Sequence, residues 1–270
     1  MKNKVTPRAY LLGSALLALL TAILRALSLT LAFDPASGYF THGALPTVYR
    51  IVAVLALLVL VAIPFTMRKG KAAAKRAPLT HGGICAACLC ALLLFLNFIC
   101  GCTLKNETLP ALLWLVGLLS LLAAIVYFII QTPLVKASIN THALLGSLTI
   151  LSLACLIAFT YFDVATPMNA PHKIDLHVAL LAAILYLLYE LRAKAEIGRP
   201  LMLTACSGTA FFLAVSVGLS DTVAYLAGAF TSPLYLAEDL LLLALAVYIG
   251  ARAMADATLF ENTDRKDKAV

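Results

Sequence analysis

The sequence predicts an all-α, polytopic transmembrane bundle of about eight helices. Three observations carry that reading. The 270 residues are 63% hydrophobic and only 12% charged, with a mean hydropathy of +0.98, whereas a soluble domain is nearer half apolar and a quarter charged. Apolar runs of about 20 residues, the length needed to cross a bilayer, recur along the chain. Lys and Arg gather between alternate runs, as they do where cytoplasmic loops carry the positive charge.

The first run, Tyr10–Phe33, follows Lys2, Lys4 and Arg8 and contains Arg25. It is too long and too charged for the core of a cleaved leader, so it is expected to remain as the first span. The others are Pro46–Thr66, Gly83–Thr103, Pro110–Ile130, Ala143–Phe162, Ile174–Leu191, Leu201–Leu219 and Pro233–Met254. Pro46, Pro110 and Pro233 stand at span starts, where a missing N–H costs nothing. Ser232 is the expected N-cap of the last span. The short apolar stretch after Asp221 is expected to re-enter the bilayer or lie on its outer face, with Gly218 and Gly228 allowing bends.

Alternating the spans puts sixteen Lys and Arg on one side, including the cluster Arg68, Lys69, Lys71, Lys75 and Arg76. The other side has Lys105, Lys173 and Arg50. Both termini are therefore expected in the cytoplasm of a cell (plasma) membrane. The net charge of +7 is explained by these flanks and by anionic lipid, not by nucleic acid. The chain reads as a single integral domain with a short tail over 257–270.

A parallel duplication of four spans is also expected, covering 8–135 and 140–256. Leu11-Leu12-Gly13-Ser14 recurs as Leu144-Leu145-Gly146-Ser147, and the exits Phe33-Asp34 and Phe162-Asp163 match. Interfaces between such repeats commonly carry sites near the midplane.

Charges within the apolar runs are the candidate functional residues, because a charge at depth normally faces the protein or a wet cavity. Ser14, Thr21, Arg25 and Ser28 fall on one helical stripe, which should face the bundle. Glu238 and Asp239, with Tyr235 on their face, lie at the same level in the last span and are the expected partners of Arg25. Arg50 is placed to join them. Arg25, Arg50, Tyr235, Glu238 and Asp239 thus form either an outward-facing pocket for a small polar solute or ion, or a structural ion-pair network. Glu190, at the inner end of the sixth span, is expected to snorkel to the interface.

His172, Asp175 and His177 are close in sequence and chemically suited to a divalent metal, although they follow no strict ligand spacing. His42 and Glu107 are expected in outer loops. Cys85 and Cys88 share a helix face, but nearby ligands for a metal are lacking and the cytoplasmic side is reducing, so packing is the expected role. No motif calls for a cofactor. The signatures of intramembrane proteases and serine hydrolases and the phosphate-binding Walker A loop are absent, so no catalytic residue is assigned and enzymatic activity is not expected.

Over Phe33-Asp34-Pro35-Ala36-Ser37-Gly38-Tyr39-Phe40, Met168-Asn169 to Lys173, and Gly198-Arg199-Pro200, the chain resembles a family of uncharacterised multi-spanning bacterial integral membrane proteins. The resemblance implies no activity, cofactor or catalytic residue. Three function classes follow from the charges and short loops: a small-solute or ion transporter, a membrane sensor or accessory subunit with a membrane-protein partner, and an intramembrane enzyme.

Overall fold

The computed structural model describes residues 5–35, 37–41, 43–67, 77–103, 111–133, 135–163, 167–197, 200–230 and 233–269, with side chains except at 101–103, 200, 233 and 260–269. Pro110, Ser232, His42, Lys105, Glu107, Arg199 and the basic cluster 68–76 lie outside the described residues. Among the described residues eight helices, α1 (Pro7–Leu31), α2 (Ala44–Thr66), α3 (His81–Thr103), α4 (Ala111–Ile130), α5 (Ile139–Phe162), α6 (Pro171–Lys194), α7 (Pro200–Leu226) and α8 (Pro233–Ala269), are each long and apolar enough to cross a membrane. The chain is an all-α, multi-pass membrane protein. The face bearing the chain ends is called terminal below, and the opposite face distal.

Local chemistry sets the helix starts. Thr6 caps α1 by accepting from the Ala9 N–H at 3.2 Å, ahead of Pro7 in the first turn. Ser138 caps α5 by accepting from the Thr141 N–H at 3.1 Å, and Pro171 opens α6. α8 is 37 residues long, well beyond the length needed to span. Its helix continues past Met254 through the segment read as a tail.

Leucines such as Leu16 (71% exposed) and Leu112 (74%) point away from the bundle, which suits a lipid solvent with no water to avoid. The interior is built from alanines and leucines, buried hydroxyls and a tyrosine cluster of Tyr127, Tyr186 and Tyr248. α7 is central, packing along α1, α6 and α8, while α3 and α4 close the far side of α8 and α5. α2 is peripheral, resting on α1 and α7.

The close approach of α7 to α8 depends on Gly218. A Cβ there would lie 2.9 Å from the carbonyl oxygen of Asp239 and 3.1 Å from Leu242 Cβ. Neither atom can yield without moving a helix. Gly218→Val is expected to lower stability by roughly 1–3 kcal/mol through overpacking, read as a lower melting temperature of the purified protein. Gly13→Ala, where nothing lies within 4 Å, should be neutral or gain up to about 1 kcal/mol in helix propensity. Equal behaviour of the two variants would refute the tight crossing.

The distal end of α1 leads into a two-stranded hairpin, β1 (Phe33–Asp34) and β2 (Tyr39–Phe40), paired antiparallel as Phe33↔Phe40 and Asp34↔Tyr39. Gly38 makes the turn at φ +74, a conformation that a side chain disfavours. A Cβ there would also meet Pro167 Cδ at 2.8 Å. Phe33 packs edge-on against Phe40 and Phe230, so the hairpin and the α7–α8 connection form an aromatic cap over the distal end of the bundle.

Candidate functional site

The stripe expected on α1 faces inward along its whole length. Ser14, Thr21, Arg25 and Ser28 are each at most 1% exposed. The three hydroxyls bond to their own helix, Ser14 to Leu11 O and Ser28 to Leu24 O for example, so they enter the core without unsatisfied protons. Arg25 is the exception. Six residues before the helix end, it lies about 9 Å inside the distal terminus and must find anions from other helices.

It finds them on α6 and α7. Arg25 Nε donates to Asp175 Oδ2 at 2.8 Å. Its Nη1 donates to Ser220 Oγ at 2.6 Å and to Asp221 Oδ1. This corrects the expected pairing with Glu238 and Asp239. α1 lies along α7 and meets α8 only lightly, so the acids of α7 and α6 reach the guanidinium first. Asp239 stands close enough to interact electrostatically with Arg25, but no hydrogen bond joins them among the described residues.

The stretch after Asp221 neither re-enters the bilayer as a separate segment nor lies on its surface, contrary to expectation. No residue between Leu219 and Leu226 breaks a helix. α7 continues to Leu226 and the chain turns at Gly228, φ +81. Asp221 is therefore inside the bundle, 0% exposed. The available signal was the absence of a breaker together with Ser216 and Ser220, which continue a polar face toward it.

Around this pair the other charges gather. His172 Nδ1 is 2.7 Å from Asp221 Oδ2, and the His172 ring rests against Phe230 and Tyr235 at 4.8 and 4.5 Å between centroids. Tyr235 therefore does belong to the cluster, as its aromatic wall, and its hydroxyl donates to Asp163 Oδ2. Tyr49 donates to Asp175 Oδ2 at 3.0 Å. Lys173, buried at the start of α6, donates to the Asp163 carbonyl, within electrostatic reach of Glu238.

Glu238 (2% exposed) and Asp239 (0%) are enclosed. Among the described residues, none of their four carboxylate oxygens has a hydrogen-bond partner, and His172 Nε2 is likewise unpartnered. An unpaired polar group in a low-dielectric site is costly, so this is the most demanding feature of the interior.

Arg50 stays outside the buried cluster. It is exposed, with its guanidinium 5.7 Å above the Phe40 ring. It lines a cleft of about 550 Å³ between α2, α6 and α7, together with Tyr49, Asn169 and Asp175 and apolar residues that include Leu57 and Phe212. Asp175, its side chain 25% exposed, is the point at which the cleft meets the Arg25 network.

The sequence-adjacent trio His172, Asp175 and His177 does not form one ligand set. His177 turns to Thr160, with 2.9 Å between Nε2 and Oγ1, and Asp175 is held by Arg25 and Tyr49. His172 instead converges with Asp221 and Asp239, one ligand atom of each lying within 4.8 Å of the others.

A second polar cluster occupies the terminal half. Glu190 is 0% exposed, which corrects its reading as a snorkelling residue. It accepts from Tyr248 at 3.0 Å and from Arg252 Nε at 3.2 Å. Arg252 Nη1 also donates to the Ala77 carbonyl at 2.9 Å, and the Ala77 N–H donates to Asp256 at 3.2 Å. Nearby, a cavity of about 420 Å³ is lined by Gln131, His142, Lys194 and Arg252. Cys85 and Cys88 are exposed free thiols.

The arrangement at the distal end can hold and neutralise positive charge: several buried carboxylates converge, and only part of their charge is matched by Arg25 and Lys173. Comparison with known proteins adds no assignment to this geometry, since no family model, no curated protein and no solved structure matches the chain.

Proposed function

We infer that the chain is a small-solute or ion transporter, and that the distal cluster takes a cation. One observation carries this: among the described residues, Asp163, Asp175, Asp221, Glu238 and Asp239 face two fixed cations, Arg25 and Lys173, and the carboxylates of Glu238 and Asp239 are sealed without hydrogen-bond partners. Charges in a bilayer interior mark ion and proton paths when they are not fully paired. The cleft between α2, α6 and α7 supplies an approach that ends on Asp175. The sequence count of sixteen basic residues between spans on the side of the chain ends against three on the other supports chain ends in the cytoplasm of a cell membrane and a cluster set toward the outside. The likeness to multi-spanning bacterial membrane proteins belongs to the same proposal.

The test is flux in proteoliposomes, with H⁺, Na⁺ and Mn²⁺ as probes read by entrapped fluorophores under an imposed potential. At least one should enter faster than into empty vesicles, and Glu238→Gln and Asp239→Asn should each cut that rate by roughly tenfold or more while the protein stays monodisperse. Rates equal to empty vesicles for all three probes would end the transport reading.

A further inference from the structure

We propose that His172, Asp221 and Asp239 form a binding site for a divalent transition-metal cation at the distal end of the bundle. The proposal rests on the reading of this cluster as a cation site and names the class of cation.

Three helices contribute one ligand each: α6 through the His172 imidazole, α7 through Asp221 and α8 through Asp239. Their ligand atoms lie within 4.8 Å of one another. Two ligands at the tetrahedral angle and about 2.1 Å from one ion stand roughly 3.4 Å apart, so the 2.7 Å hydrogen bond between His172 Nδ1 and Asp221 Oδ2 opens as the ion enters. The third arm is Asp239, 0% exposed, with both oxygens unpartnered among the described residues. A small adjustment of this side chain completes the set.

Charge balance agrees with the geometry. Around the site, among the described residues, the carboxylates of Asp163, Asp175, Asp221, Glu238 and Asp239 face Arg25 and Lys173, leaving a formal excess of negative charge with His172 neutral. One divalent cation offsets most of it. Arg25 does not compete for the same atom, because it holds Asp221 by Oδ1 while His172 approaches Oδ2. On binding, the imidazole proton moves from Nδ1 to Nε2, which has no partner. The Nδ1 lone pair then faces the ion and no proton is lost overall.

One imidazole with two carboxylates favours ions such as Zn²⁺ or Mn²⁺ over Mg²⁺, which prefers carboxylate, phosphate and water oxygens. Three protein ligands leave a position for water or a solute group. The aromatic ring of Tyr235 and that of Phe230 shield the imidazole, and the partly exposed Asp175 marks the side from which the ion arrives.

Full-length protein, stripped with chelator and titrated with Zn²⁺ and with Mn²⁺ by calorimetry and elemental analysis, is expected to bind one equivalent per chain. Asp239→Asn and His172→Ala should weaken binding by at least tenfold. His142→Ala, which removes a half-buried histidine at the terminal face, should bind like the parent. Asp239→Asn removes an unpartnered buried charge, so it should melt no lower than the metal-free parent, and lost binding then reports the site and not the fold. The proposal is overturned if the parent takes up no stoichiometric Zn²⁺ or Mn²⁺, or if Asp239→Asn binds normally. Loss of cation flux in Asp239→Asn without any metal binding by the parent would overturn this site and leave the transport reading. Stoichiometric binding without flux of any probe would do the reverse.

Discussion

Arg25→Leu is expected to destabilise the folded protein by on the order of 3–5 kcal/mol, the cost of removing one partner from a buried ion pair. The guanidinium reaches two helices at once, through Nε to Asp175 and through Nη1 to Asp221 and Ser220. Without it, Asp221 is left in an interior with no exposure. The variant should accumulate poorly and elute as aggregate. Arg25→Lys should fall between the two, since an ammonium is a point charge that cannot reproduce the fork. Arg25→Gln with Asp221→Asn, a neutral pair, should recover part of the loss. A melting temperature of Arg25→Leu unchanged from the parent would show that the pair does not hold α1 to α6 and α7.

The second large effect is expected at the opposite end. Glu190→Ala removes the acceptor shared by Tyr248 and Arg252, with Arg252 only 6% exposed. A cost of about 3–5 kcal/mol follows from the same asymmetry between a buried pair and a buried lone charge. Glu190→Gln keeps an acceptor oxygen and should lose less, about 1.5–3 kcal/mol, the value of hydrogen bonds to charged groups. Thermal melts of the three proteins in one detergent check the order. Zn²⁺ titration of Glu190→Gln should match the parent, because the terminal cluster and the distal ligands occupy different halves of the bundle. If Glu190→Ala melts like the parent, Glu190 is solvated and the snorkelling reading returns.

The inward stripe of α1 was legible because 100° per residue is a property of one helix, and Ser14, Thr21, Arg25 and Ser28 needed no knowledge of neighbours. Asp221 was not legible. Reading the seventh span by apolar length ends it at Leu219, before Asp221, yet a helix continues through a charge when another helix supplies its counter-ion, here Arg25 from 196 residues away. Glu190 was misplaced by the same reasoning, which sent a charge near a span end to water when Arg252 was waiting on α8. Of the five residues singled out as a pocket, Arg25, Tyr235, Glu238 and Asp239 do meet around one buried cluster, while Arg50 lines the cleft beside it.

By itself the chain determined that it must cross a bilayer eight times, because transfer from water to lipid is summed residue by residue along a local stretch. It also determined which face of α1 turns inward. Only the tertiary structure decided which acid neutralises which base, and which ligand atoms converge. Those outcomes depend on whether α1 lies against α7 or α8, a choice made by close packing at contacts such as Gly208 of α7 against Tyr10 of α1 and not by the hydropathy of any one helix.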